Sequence, residues 1–157
     1  MQKRVLTGLF ITLFLLVHSV VLAQSATDAY EEGVRLYWTY NIAESIVQFD
    51  VAIAEDDTFA EAYAYRGLAY TRLSNFEPAQ ADFDRAVELA PDSALVYALR
   101  ARFSMTQSIA DGFADVETAL ELEPDFAVAL YMRGAVNLAN GDNLDALNDF
   151  DAALESN

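Results

Sequence analysis

The sequence has no cysteine, and its single histidine and single lysine, His18 and Lys3, both lie before Gln24. Residues 24–157 therefore contain neither a thiol nor an imidazole, so the common nucleophile–base pairs of enzymes and soft-ligand metal sites have no residues from which to form. No segment has the alternating Asp and Asn ligands and central glycine of a calcium loop. These absences argue against an enzyme, and we expect no cofactor and no metal site.

Positive charge is also scarce. After Ala23 the chain has seven arginines and 25 acidic residues, a net charge of 7 − 25 = −18. A chain with this charge is repelled by the phosphates of nucleic acids and by anionic membrane surfaces. We therefore expect a protein or peptide partner and no nucleic acid partner.

The N-terminal segment, 1–23, has a composition of its own. Lys3 and Arg4 precede an apolar run, 5–22, and Ala23 offers a small residue for cleavage before Gln24. This order is typical of a secretory signal peptide, which predicts a periplasmic or extracellular protein. The alternative is an uncleaved membrane anchor formed by residues 5–22, because the length of this run is near the lower limit for crossing a bilayer.

The rest of the chain repeats with a period of about 34 residues, which is typical of stacked helical repeats. Small and aromatic residues recur in four series, which are Gly33, Gly67, Ala101 and Gly134; Ser45, Ala79, Gly112 and Ala146; Phe49, Phe83, Val116 and Phe150; and Ala52, Ala86, Ala119 and Ala153. Within a repeat the apolar residues are spaced by three or four, which indicates helices. The pattern predicts eight helices, at about 26–39, 42–55, 60–73, 76–89, 94–106, 109–122, 127–139 and 143–155.

The turns carry signals that match these boundaries. Asn75 is predicted to cap the fourth helix with its side chain, and Pro91 and Pro124 follow predicted helix ends. The third repeat lacks one residue near Gln107-Ser108, where we expect a break between helices. The same repeat is expected to be the least stable, and replacing Gly112 by Ala is expected to be neutral or stabilising because glycine lowers helix propensity.

The second repeat resembles the tetratricopeptide repeat (TPR) family, on the residues Tyr63, Gly67, Tyr70, Ala79, Phe83, Ala86 and Pro91. The resemblance covers residues 26–157, with repeats at about 26–59, 60–93, 94–126 and 127–157. It implies an all-α fold, an α-solenoid of four antiparallel helix-turn-helix repeats in a right-handed superhelix. Stacks of this kind usually present binding surfaces and seldom perform chemistry.

Charged residues recur in the last three repeats at two matching places. The arginines are Arg66, Arg100 and Arg133, and the acids of the following helices are Asp82, Asp115 and Asp149. The first repeat has Glu32 and Gln48 at these places, so it loses both partners together. The pattern predicts an Arg–Asp ion pair within each of the last three hairpins, and the alternative is that these charges are separately solvated.

The resemblance also implies that the first helix of each pair lines a concave groove that holds a partner segment. The candidate contacts on this face are Tyr30, Tyr37, Trp38, Leu68, Arg72, Arg102, Met105 and Tyr131. Aromatic residues and arginine are enriched at binding hot spots. The alternative for Trp38 and the tyrosines is packing against neighbouring helices. Only Arg102 and Arg72 resemble the basic residues of a carboxylate clamp, so a full clamp is not expected.

These patterns favour an exported, non-enzymatic scaffold that binds a segment of another protein in the concave groove. The alternative is a structural or self-assembling element that associates through its C-terminal helix. There Leu147 and Leu154, beside Leu144, repeat an apolar pair that the next repeat would cover elsewhere, so we expect an exposed apolar stripe. A small-ligand or glycan binder, or an enzyme, is a third alternative.

Overall fold

The computed structural model describes residues 25–156, and every regular element in that range is a helix. We number the helices α1 (25–38), α2 (Ile42–Glu55), α3 (Ala60–Arg72), α4 (Phe76–Leu89), α5 (Ala94–Ser104), α6 (Ile109–Leu122), α7 (Ala127–Asn140) and α8 (Asn143–Glu155). Each lies within two positions of its predicted bounds, and the all-α fold of helical hairpins is confirmed. The predicted signal segment, 1–23, lies outside the described residues.

The chain forms two compact units, which meet in sequence between Phe59 and Ala60. The first contains the hairpin of α1 and α2, whose core is the buried ring of Phe49. The ring of Tyr30 on α1 lies 4.8 Å from that of Phe59 and 6.3 Å from that of Phe49, measured between ring centroids. Aromatic packing thus closes the first hairpin.

The second unit contains three hairpins, α3–α4, α5–α6 and α7–α8. Helix α5 packs against α3 and α4, and the rings of Phe83 and Phe103 stack there with centroids 5.3 Å apart. Apart from its hairpin partner α8, helix α7 packs mainly on α6. Apolar side chains of α5, α6 and α7 form one buried cluster, which includes Ala98, Val116 and Leu130. Burial of these apolar side chains drives the stacking of one hairpin on the next.

Helix ends follow most of the predicted signals. The break at Gln107-Ser108 is confirmed, and the Ser108 side chain accepts a hydrogen bond of 3.4 Å from the amide of Asp111 at the start of α6. The prediction for Asn75 is wrong, because this residue holds the N-cap position of α4 but its side chain accepts no capping hydrogen bond. Ser74, just before it, has a positive φ of 60°. The turn is therefore made by the backbone rather than by an Asn cap.

Each hairpin depends on one close helix crossing. A Cβ atom added to Gly67 would lie 3.0 Å from the ring of Phe83, and one added to Gly134 would lie 2.7 Å from the ring of Phe150. In the third hairpin Ala101 stands where the others have glycine, and Val116 stands where they have phenylalanine. A smaller side chain on the second helix thus accompanies a larger one on the first.

The contact at Gly112 corrects one expectation. A Cβ atom on Gly112 would lie 2.8 Å from the carbonyl oxygen of Ala101 and 2.8 Å from the amide nitrogen of Met105, and would overlap the Met105 side chain. These backbone atoms belong to α5 and its last turn, so they cannot move aside as a flexible side-chain end can. The expectation that alanine would be tolerated at Gly112 is wrong, because helix propensity is outweighed by this close approach of α6 to α5.

We predict that Gly112→Ala lowers the free energy of unfolding by about 1–3 kcal/mol, the usual cost of inserting a methyl group into a close-packed contact. Chemical denaturation followed by circular dichroism measures this difference. Ala114→Gly, at an exposed position of the same helix, provides the matched control, with an expected loss of about 1 kcal/mol from propensity alone. An unchanged or increased stability of Gly112→Ala would contradict the contact.

Candidate functional site

A cavity of about 360 Å³ opens in the second unit between the end of α5, the start of α6 and the inner side of α7. We call it the inner cavity, and its lining residues are Arg102, Met105, Ile109, Tyr131, Met132, Ala135, Val136, Ala139 and Asn140. Arg102 is the one charged residue of this lining, and no acid belongs to it. The cavity therefore offers an apolar wall with a positive charge at its edge, in a chain that is otherwise strongly acidic.

The local sequence explains why a cavity forms at this place. Outside their own hairpins, α7 packs mainly on α6, whereas α5 packs on α3 and α4. Helix α5 is also the shortest of the described chain and ends at Ser104. Gly112 draws the start of α6 against Met105, and so places the Met105 side chain in the wall of the inner cavity. The exposed Ile109 forms the outer edge of that wall.

The structure brings together three of the predicted contact residues, Arg102, Met105 and Tyr131. Leu68 on α3 is buried, so it presents no surface to a partner. Arg72, the last residue of α3, is exposed but does not line the inner cavity. Ala135 and Ala139 belong to the first-helix face that the resemblance implied, and sequence reasoning missed the other four lining residues, Ile109, Met132, Val136 and Asn140. The missing residue near Gln107-Ser108 was the one signal that pointed to this region.

In the first unit the predicted residues have different environments. Tyr37 is 1% exposed, so its ring belongs to the core of the unit and not to a binding face. Trp38 is exposed and lies edge-on to Tyr37, with ring centroids 5.3 Å apart. Tyr30 is half-buried between Phe49 and Phe59. Of these three side chains, Trp38 alone presents most of its surface to solvent.

The predicted Arg–Asp pairs are confirmed in the last three hairpins. In each pair Nε and Nη2 of the arginine donate hydrogen bonds to the carboxylate oxygens of the aspartate on the following helix. The N–O distances are 2.8 and 2.7 Å for Arg66–Asp82, 2.9 and 2.6 Å for Arg100–Asp115, and 3.1 and 2.7 Å for Arg133–Asp149. All three carboxylates are buried. Bidentate pairs of this kind fix the relative position of two helices. These arginines are therefore structural.

The hydrogen bond to Asp115 raises the pKa of the Arg100 guanidinium, and the one to Asp149 raises the pKa of Arg133. Both guanidinium groups thus remain charged across the physiological pH range. In the first hairpin Glu32 instead pairs with Arg35 on the same helix, at 2.5 Å and exposed to solvent. The three recurring Arg–Asp pairs therefore all lie in the second unit.

A second apolar surface lies on the fourth hairpin. It is a groove of about 480 Å³ between α7 and α8, lined by Ala127, Val128, Tyr131, Phe150, Ala153 and Leu154. We call it the end groove. Leu144, Leu147 and Leu154 of α8 are all exposed, as the sequence predicted. Tyr131 lines both surfaces and separates the end groove from the inner cavity.

Residues 25–156 contain no cluster of three or more His, Asp or Glu side chains arranged to hold a metal ion. Within the same range, no helix combines the length and the apolar character needed to cross a bilayer.

Comparison with known protein families identifies one repeat of the chain. Residues 60–93 match the family model described as "Tetratricopeptide repeat". None of the curated proteins compared with the chain is a match.

Solved structures share the fold at low sequence identity. PilF of Pseudomonas aeruginosa is 17% identical, with a TM-score of 0.73 over 87% of this chain and 63% of that one. The Arabidopsis OM64 TPR domain is 20% identical, with a TM-score of 0.64 over 75% and 98%. The first TPR of Spaghetti (RPAP3), bound to the HSP90 peptide SRMEEVD, is 23% identical, with a TM-score of 0.59 over 85% and 94%.

At these identities the solved structures establish the fold, and the family match establishes the second repeat. Tetratricopeptide repeat proteins are generally non-catalytic scaffolds for protein–protein interaction. The chain therefore carries a tetratricopeptide repeat at residues 60–93 and has the fold of tetratricopeptide repeat proteins.

Proposed function

We propose that this protein is a non-enzymatic scaffold that binds a segment of another protein in the inner cavity. The observation that carries the proposal is the combination of an apolar wall with Arg102 as the single charged lining residue. Binding sites of this kind are mostly apolar and contain a few polar groups that orient the ligand. Arginine and tyrosine, both present here, are the residue types enriched at hot spots.

The lining chemistry selects the class of segment. Met105, Ile109 and Val136 suit an aliphatic or methionine side chain, because burying apolar surface on both sides removes it from water. Arg102 suits a carboxylate, either of an acidic side chain or of a chain terminus, because its guanidinium can bond both oxygens. We therefore propose a segment that places an apolar side chain next to an acidic group.

The comparisons support this choice without extending to the partner itself. The TPR of Spaghetti (RPAP3) is bound to a peptide, SRMEEVD, that combines Met and Val with acidic residues.

The predicted contact residues that lie outside the inner cavity have a smaller part in the proposed binding. Trp38 and Arg72 are exposed and remain candidate contacts, and Tyr30 is half-buried. Tyr37 and Leu68 are not proposed as contacts, since they are buried.

We predict that the immobilised protein selects, from a random peptide library displayed on phage, sequences with an aliphatic or Met residue beside an acid. The double variant Arg102→Glu, Ile109→Glu should lose this selection, because it reverses the charge and places a carboxylate on the apolar wall. Deep sequencing of the selected pools measures the enrichment.

The matched control is Arg85→Glu, Leu144→Glu, which makes the same kinds of change at exposed positions outside the inner cavity. The control variant should select the same sequences as the unchanged protein. Equal enrichment by the Arg102→Glu, Ile109→Glu variant, or no enrichment by the unchanged protein, would remove the inner cavity as the binding site.

We propose in addition that the protein is exported and acts in the periplasm or outside the cell. The support is the basic start at Lys3 and Arg4 followed by the apolar run 5–22. The intact mass of protein recovered from the exported fraction should correspond to a chain beginning at Gln24. A mass that includes Met1 would instead support an anchor formed by residues 5–22.

A second candidate function is self-assembly through α8. It is favoured by the exposure of Leu144, Leu147 and Leu154, since contiguous apolar surface promotes association. Apart from Tyr131, the end groove and the inner cavity have separate lining residues, so an interaction at one surface is compatible with an interaction at the other.

A further inference from the structure

The end groove has a filled counterpart one repeat earlier. When the fourth hairpin is aligned on the third through the recurring small and aromatic residues, Ala127 corresponds to Ala94, and Phe150, Ala153 and Leu154 correspond to Val116, Ala119 and Leu120. The four residues of the third hairpin are buried in the cluster formed with α7. The same groove is thus covered by a helix in the third hairpin and open in the fourth.

The helix that fills the earlier groove shows what such a groove accepts. Helix α7 contributes Ala129, Leu130 and Met132 to the buried cluster. Tyr131 of the end groove stands where the third hairpin has Ala98. Its side chain is 62% exposed and its ring packs on Phe150, with centroids 5.6 Å apart. The Tyr131 ring therefore forms a wall of the end groove and leaves the groove open.

The charge at the edge of the end groove sets a second requirement for a docked helix. Arg133 follows the apolar face of α7, and its Nη1 lies 3.7 Å from Oε1 of Glu117 on α6, in the hairpin that α7 covers. The residue that corresponds to Glu117 in the fourth hairpin is Asp151, which is exposed. A helix docked in the end groove as α7 docks on the third hairpin would bring its own residue at the Arg133 place next to Asp151.

A second copy of this chain does not supply that helix by continuing the stack. In α1 the places of Ala129, Met132 and Arg133 are held by Asp28, Glu31 and Glu32. Head-to-tail stacking would set two carboxylates of α1 against apolar surface, which carries a large desolvation cost. It would also bring Glu32 towards Asp151, and like charges in contact repel. The acidic face of α1 thus disfavours stacking of one copy on another.

We propose that the end groove binds an amphipathic helix of another protein, with apolar residues spaced as Ala129, Leu130 and Met132 are and an arginine at the next position. The apolar residues would cover Ala153 and Leu154, and the arginine would pair with Asp151. This interaction goes beyond the proposed function, because it uses a different surface and a helical ligand.

The probe for this proposal is a synthetic peptide of residues 124–141, with blocked ends and a fluorescent label, titrated against the full chain. We expect saturable binding, measured by fluorescence anisotropy. Leu154→Glu in the protein should weaken it about tenfold or more, because a carboxylate would enter the apolar groove. Leu144→Glu is the matched control. Leu144 lies on the same helix, is 71% exposed where Leu154 is 74% exposed, and does not line the groove.

The proposed ion pair between the peptide arginine and Asp151 is tested by reversing the charge of each partner in turn. A peptide carrying Arg133→Glu should bind about threefold more weakly or worse, in keeping with a solvent-exposed ion pair. Asp151→Arg in the protein should restore the binding of that peptide and weaken that of the original one. Glu77→Arg, an exposed change on α4, should alter neither affinity.

Three results would overturn the proposal. One is the absence of saturable binding, and another is an equal loss of affinity in Leu154→Glu and Leu144→Glu. The third comes from sedimentation of the chain without peptide. A dimer that Leu154→Glu dissociates would show that a second copy occupies the end groove in some other orientation. A monomer unaffected by Leu154→Glu supports a helix from another protein.

Discussion

The close crossing of the two helices in each hairpin is the constraint on which the other features depend. The first, second and fourth hairpins pair a glycine on the first helix with a phenylalanine on the second, whereas the third hairpin pairs Ala101 with Val116. The ring needs the space that a Cβ atom would take, so the distance between helices and the identity of the ring are fixed together. At that distance the buried Arg–Asp pairs form with bidentate geometry.

The two apolar surfaces follow from where this packing is incomplete. In the third hairpin Ala101 and Val116 replace the glycine and phenylalanine of the other crossings. There Gly112 lets α6 approach Met105 closely, and the inner cavity opens beside this contact. In the fourth hairpin the groove that α7 fills one repeat earlier is open. Both surfaces meet at Tyr131. The third and fourth hairpins therefore carry the proposed interactions, while the Arg–Asp pairs and the buried rings maintain the hairpins.

Sequence could predict the features that depend on spacing alone. The helix bounds, the break before Ser108 and the three Arg–Asp pairs follow from the regular repeat period and from helical geometry. It could not decide which of Tyr37 and Trp38 is buried, because neighbours on a helix lie about 100° apart and both border the predicted face. Nor could it predict the Gly112 contact, since that depends on the backbone distance between helices, which packing sets.

We infer that glycine at three of the four crossings is required to accommodate the phenylalanine ring opposite it. A double-mutant cycle on Gly134 and Phe150 tests this most directly, with the free energy of unfolding measured by chemical denaturation. Gly134→Ala alone should cost about 1–3 kcal/mol through overpacking. In the Phe150→Val background, which reproduces the Ala101–Val116 pair of the third hairpin, the cost should fall by about 1 kcal/mol or more, as expected for residues in contact. An equal cost of Gly134→Ala in both backgrounds would contradict the claim.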